Sequence, residues 1–394
     1  MNKESRLLRL GILGCGPISQ IAHFDAAKKA RNVELTAVCD LANDLRERMT
    51  MLHQPRFSYH DYDEMLANPQ VEAVLIGVAD QFHVPLALEA IAAGKHVLVE
   101  KPIGVTLEEC EELRTALEGS KAGLLSAQPG RTAGEPGSGN TVETTQEAGG
   151  TPALRSPKLV FQIGNNRRFD PGIAFAQKFI QEEIGALLAF KAWYWDSIYR
   201  YTMTDNLQPI PMTSAAAHRP ADNPKADKRR YFILTHASHL VDTARFLAGE
   251  ITSVRARLLE RFDAYCWYVD VEFANGALGH LDLTIPARGD FEEGFQIQGE
   301  HGSIKGQVFL PWYHKTSVVE CFSTKDRQYR RPIGEDAHTY KLQLESFADT
   351  ILNRTPQQGA NIDDGVAAMR AMVAIAHSVE SGERVCLADV KGGI

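Results

Sequence analysis

Short apolar runs alternate with stretches of helical spacing through the first third of the chain. Residues 7–13, 33–38, 71–78 and 97–99 are mostly apolar, and each precedes a segment of mixed polarity. Near-continuous apolar strands of this kind fit a parallel sheet covered on both faces. Helix signals separate them. Asp61 and Glu64 form an acid-x-x-Glu start like a capping box, 82–93 has helical spacing and stops at Gly94, and Thr106 with Glu109 opens another helix. Strand and helix in series predict a doubly wound α/β domain over 1–125.

The pattern changes twice after that. Residues 126–157 are rich in Gly, Pro, Ser and Thr and nearly lack large apolar side chains. Such a segment cannot bury enough surface to offset its ordering entropy, and it reads as a flexible surface insertion. From 158 to 394 the reading is α+β. Asp170-Pro171 starts a helix running to about 183, and 187–195 is an aromatic-rich strand. The stretch 199–228 is irregular, polar and proline-containing, which suggests a long functional loop. Between 251 and 319 several strand-like segments are separated by Gly and Asn-Gly turns, predicting an antiparallel sheet. Two helices near 337–353 and 363–381 should pack against the first domain.

Composition narrows the class. The chain has 394 residues, 44% apolar and 23% charged, as in a globular protein of two domains. Its formal charge of −8 argues against a nucleic-acid grip, which wants a basic face. No window approaches a membrane span, and the N-terminus lacks the apolar core of a secretory signal, so a cytoplasmic location is expected. The six cysteines are widely spaced with no C-x-x-C pair, which points to reduced thiols and not to a disulfide frame or zinc site.

Candidate chemistry gathers at strand ends. Gly14-Cys15-Gly16-Pro17-Ile18-Ser19 lies between the first strand and a helix. Glycines there let backbone approach a pyrophosphate, whose charge meets the helix N-terminus. Asp40 closes the second strand at the distance where an acid accepts hydrogen bonds from ribose hydroxyls; a 2′-phosphate would be repelled, which favours NAD over NADP. Gly14, Gly16, Pro17, Ile18 and Asp40 are therefore cofactor candidates. Ala79 and His83 follow the next strand, and Glu100-Lys101-Pro102 follows the one after. Ligands of such sheets bind beyond the carboxyl ends of the strands, so these residues stand at the nicotinamide rim. A solvated lysine with an ordinary turn proline is the plainer reading of Lys101.

Together these segments resemble the Gfo/Idh/MocA oxidoreductases. The resemblance rests on "GILGCGPIS", the acid after the second strand, "ALEAIAAGKHVLVEKP", "NNRRFDPG" at 165–172, "HLVDTARFLAG" at 239–249 and the pattern from Tyr340 to Val385. It implies an N-terminal Rossmann domain, a C-terminal α+β domain with an open, mostly antiparallel sheet, and a bound nicotinamide cofactor. It also implies a sugar or cyclitol substrate and a homodimer or homotetramer. The family's EKP lysine falls on Lys101 and its catalytic histidine on His239. Many members carry an aspartate four residues before that histidine; here Thr235 stands there, followed by His236.

The resulting expectation is an NAD-dependent oxidoreductase of a sugar, sugar derivative or inositol carbinol. Lys101 and His239 are the catalytic candidates, and either could be the base. Substrate candidates are Lys101, Asn166, Arg167, Arg168, Trp195, Thr235, His236 and His239. For Asn166, Arg167 and Arg168 the alternative is ion pairing at the domain seam. Among the aromatic residues Trp193, Trp195, Tyr199 and Trp267, sheet packing competes with stacking on a sugar ring. His236, His239 and Asp242 share roughly one helix face, but no third protein ligand is identifiable and no metal is assigned. Two other functions remain open: an NAD-retaining enzyme that cleaves glycosidic bonds, and a non-catalytic sugar or cofactor sensor.

Overall fold

The first sheet of the computed structural model has six strands, all parallel, in the order β3-β2-β1-β4-β5-β6. They are β1 (Leu8–Leu13), β2 (Val33–Cys39), β3 (Phe57–Tyr59), β4 (Ala73–Ile76), β5 (His96–Val99) and β6 (Phe161–Ile163). The structure describes residues 6–126, 159–197, 210–221, 223, 225–334 and 336–394. The predicted insertion at 126–157 and Tyr199 thus lie, but for Ser126, outside the described residues.

β1 and β4 are buried along nearly their whole length, which explains their apolar runs. A π-helical turn, Ser19–His23, leads into α1 (Phe24–Lys29), and the sheet continues through α2 (Asn43–His53), α3 (Tyr62–Ala67), α4 (His83–Ala92) and α5 (Leu107–Ser126). Asp61 caps α3 by accepting the Asp63 N–H. The strand order turns back between β1 and β4, so the crevice beyond their carboxyl ends is where such a sheet binds ligands. β6 hydrogen-bonds to β5, so the chain after 158 completes this sheet before it enters the second domain.

The second sheet has nine strands in the order β14-β13-β12-β11-β7-β10-β9-β8-β15. In chain order these are β7 (Leu187–Trp195), β8 (Ile251–Arg261), β9 (Ala264–Phe273), β10 (Leu278–Ile285), β11 (Glu292–Gly299), β12 (Gly302–Val308), β13 (Val318–Ser323), β14 (Gln328–Arg330) and β15 (Val385–Cys386). Every pair is antiparallel except β7 with β10. Burial alternates along β9, with Trp267, Val269 and Val271 buried and Tyr268 and Asp270 exposed. One face therefore packs on helices and the other is open.

The covering helices are α6 (Pro171–Glu182), α7 (Lys228–Phe232), α8 (Ser238–Ala248), α9 (Thr339–Asn353) and α10 (Ile362–Ser381). Asp170 caps α6 by accepting two backbone N–H groups, with proline at the first turn. α9 packs on α1, and α10 lies between α5 of the first domain and β8 of the second. No described helix is long and apolar enough to cross a membrane. All six cysteines are free thiols, four of them buried.

Candidate active site

The Gly turn is fixed by close backbone approach. Gly14 has φ +97°, and a Cβ there would stand 2.6 Å from the Gly77 carbonyl oxygen. A Cβ at Gly77 would stand 2.6 Å from Ser19 Oγ, so any side chain there would have to displace the serine hydroxyl. The small residue at Ser19 thus packs the helix against the end of β4. Asp40 joins the turn to β2: its carboxylate accepts the Cys15 N–H at 2.6 Å and the Ala42 N–H at 2.7 Å.

Above this turn lies a cavity of about 490 Å³. Gly14, Gly16, Pro17, Ile18, Asp40 and Ala79 all line it, so six of the predicted cofactor residues come together in one place. The following helix begins at Pro17, with the Gln20 N–H bonded to the Gly16 carbonyl, so Gly16 stands at its start with no side chain to cap it and the end can face an anion. A glycine cradle, an uncapped helix start and an acid at the ribose end are the donor and acceptor set a dinucleotide requires.

His83 and Glu100 do not line this cavity. His83 is buried, with Nδ1 2.6 Å from the Pro102 carbonyl and Nε2 3.2 Å from that of Val78, and it ties the two strand-end loops together. Glu100 is buried 2.9 Å from His23, and its Oε2 accepts the Lys101 N–H. Burial pushes the Glu100 carboxyl up, but the hydrogen bond and charge of His23, with Lys101 beside it, hold it below the ordinary range. Both residues shape the loop that carries Lys101, whose bond to Pro102 is cis.

Part of the cavity wall comes from the second domain. The loop at 210–218 crosses to the first domain, where the Gln20 side chain donates to Met212 O and accepts from Met212 N. Ser214 donates to Asp44, His218 packs on Phe82 at 4.9 Å, and Ala217 and His218 close the cavity. Sequence reasoning marked this loop as functional but singled out none of these residues. Its polar, proline-containing composition gives no periodicity from which to find them.

Lys101 reaches the second domain directly, its Nζ donating to the Thr235 carbonyl at 3.0 Å. His239, one turn further on, stacks on Tyr194 at 5.9 Å with nearly parallel rings. His236 packs on the same Tyr194 ring at 5.8 Å. Burial pushes the His239 imidazole well below the usual histidine range, and the charges of Lys101, Arg167 and His236 add to this. The ring is therefore neutral near pH 7 and has a lone pair to offer.

The other substrate candidates are placed differently. Asn166 donates to Thr339 Oγ1 at 3.0 Å. Arg167 makes a buried bidentate pair with Glu293 at 2.6 and 3.0 Å. Arg168 makes one with Asp242 and a further contact to Asp364. Trp195 is one residue beyond Tyr194 on β7, so strand alternation turns it to the opposite face of the sheet. Trp267 is buried beneath Ile233 and Leu240 in the core.

One further cluster, Asp25, His314 and His338, comes within range of a shared cation. However, His338 Nδ1 accepts the Lys341 N–H, which leaves its proton on Nε2 facing Asp25 at 2.8 Å. In this arrangement His338 serves as the cap of α9 and no metal is assigned to the cluster.

Comparison with known proteins matches both parts of the chain to one family. The GFO_IDH_MocA model for an oxidoreductase family with an NAD-binding Rossmann fold matches residues 8–126. The model for the C-terminal alpha/beta domain of the same oxidoreductases matches 231–387. The inositol 2-dehydrogenase of Rubrobacter xylanophilus is 22% identical, with 97% of this chain and 94% of that one covered. The myo-inositol 2-dehydrogenase of Thermotoga maritima is 23% identical over 98% of this chain and all of its own. Among solved structures, levoglucosan dehydrogenase in complex with NADH superposes with a TM-score of 0.71 at 20% identity, covering 97% of this chain and 99% of that one.

Proposed function

The chain belongs to the Gfo/Idh/MocA oxidoreductases, a family with an NAD-binding Rossmann domain, and from this premise we propose that it oxidises a carbinol of a sugar, sugar derivative or inositol. NAD is the cofactor that its Gly turn and Asp40 fit, and when bound it supplies the hydride acceptor. The observation that carries the reading is the meeting of the two domains, where Lys101 Nζ donates to Thr235 one turn from His239. A carbinol placed there has a cation and a neutral imidazole beside its oxygen.

Each residue then has a chemical task. His239 accepts the hydroxyl proton, since burial keeps its ring neutral. Lys101 holds the developing alkoxide with its positive charge and a hydrogen bond. Tyr194 fixes the His239 plane by stacking. The buried Arg167–Glu293 pair braces β11 against the segment before α6.

The reading is tested by incubating purified protein with NAD and a panel of inositols and sugars while following the near-ultraviolet band of the reduced cofactor. Growth of that band with at least one polyol is expected. Its absence across the panel, with NAD demonstrably bound, would contradict the proposal.

A further inference from the structure

We propose that Asp196 accepts a hydrogen bond from one hydroxyl of the substrate and so sets the preference of the site for a polyol bearing that hydroxyl, with His236 as its positioning residue; this rests on the dehydrogenase reading of the same site. Asp196 directly follows β7, and strand alternation places it on the face of Tyr194, opposite Trp195. Its backbone is pinned on both sides: its N–H donates to Thr284 O at 3.1 Å, and its carbonyl accepts the Ala287 N–H at 2.8 Å. The side chain is therefore held in place without taking part in that frame.

Hydrogen-bond counting defines what the carboxylate does. The Thr235 hydroxyl donates to the Tyr231 carbonyl at 2.6 Å, so its oxygen can only accept from His236 Nδ1, 2.7 Å away. His236 thus spends its Nδ1 proton on Thr235. Its Nε2 faces Asp196 Oδ2 at 3.1 Å. Both ring nitrogens are committed, so His236 orients the carboxylate and does not itself reach substrate.

Asp196 also differs from the neighbouring carboxylates. Glu293, Asp242 and Glu100 are only 5%, 2% and 6% exposed, and each faces an arginine or histidine. Asp196 keeps 19% of its side chain open, and His236 keeps 17%. Of these four acids it is the one with surface left for a ligand. An oriented carboxylate accepts a hydroxyl proton well and rejects an analogue that lacks the hydroxyl.

The test is calorimetric titration of the NAD-loaded protein with myo-inositol, D-glucose and their mono-deoxy analogues, with turnover measured in parallel. The wild type is expected to bind one parent polyol about 10- to 100-fold more tightly than one of its mono-deoxy analogues. Asp196→Ala should abolish that difference by weakening the parent alone, raising KM far more than it lowers kcat. Asp196→Asn, nearly isosteric, guards against loss of fold, and His236→Gln should reduce the difference partway. Unchanged discrimination in both Asp196 variants would overturn the proposal, as would a fall in kcat with KM constant. Discriminating binding without turnover would overturn the dehydrogenase reading and leave Asp196 in its role. Turnover with discrimination independent of Asp196 would do the reverse.

Discussion

Lys101 spans the two domains with one hydrogen bond to a backbone carbonyl, and its charge is what the proposed chemistry needs most. Lys101→Ala is predicted to lower kcat/KM by roughly 10²–10⁴-fold, because it removes electrostatic stabilisation of an alkoxide. NAD affinity should change little, since Lys101 does not line the dinucleotide cavity; fluorescence titration with NADH measures this separately. His239 makes a second prediction. Its imidazole is held below the usual range, so it stays neutral to lower pH than a free histidine, and the acid limb of kcat/KM should fall well below the ordinary histidine value. The same shift has a stability sign. The unfolded chain takes up this proton first as pH falls, so the contribution is complete above about pH 6.5 and is lost as acid reaches the folded group. Replacing His239 with Asn should flatten that acid-side loss in a denaturant series. Lys101 and His239 were legible because each sits in a motif or at a strand end. Tyr194 and Asp196 were not, because the run Trp193-Tyr194-Trp195-Asp196 is aromatic on both faces and hides its alternation. Which of two adjacent aromatics faces the site depends on the register of β7 with β10 and β11.

The Gly turn, the buried pairs and the 210–218 loop behave as units. Gly14→Ala would force a Cβ into the Gly77 carbonyl at a positive φ, so loss of NADH binding by at least about 10-fold is expected, together with a destabilisation of roughly 1–3 kcal/mol. Binding equal to wild type would show that the turn can move without consequence. Glu293→Ala would leave Arg167 buried and unpaired, and chemical denaturation should report a loss of about 3–5 kcal/mol. Strands and helices were readable where they obey local rules: apolar runs and a capping acid at Asp61 in the first domain, a proline start at Pro171 in the second. Gly77 was missed because the apolar run 71–78 passes through it and reads as continuous strand. Its reason is spatial, since Ser19 from another element occupies the space a side chain would need.

At the scale of the molecule, the chain crosses between domains several times. β6 returns to the first sheet, α9 packs on α1, α10 bridges α5 and β8, and the 210–218 loop closes the cofactor cavity from the other side. The two-domain plan, the sheet types and the return of the last two helices to the first domain were visible in the sequence, but the β6 and 210–218 crossings were not. They pair residues far apart in the chain and leave no local period. NAD should therefore stabilise both domains in one transition, by about 2.7 kcal/mol when its concentration is 100 times Kd. Two separated melting steps, only one of them moved by NAD, would argue that the loop does not couple the domains. The central claim is that Lys101 and His239, from different domains, act on one carbinol. It is tested most directly by a crystal structure of the protein with NAD and an oxidisable polyol. The account predicts a single substrate oxygen within about 3 Å of both Lys101 Nζ and the His239 ring, with its carbon facing the nicotinamide. A polyol bound with that oxygen away from either group, or a nicotinamide outside this cleft, would contradict it.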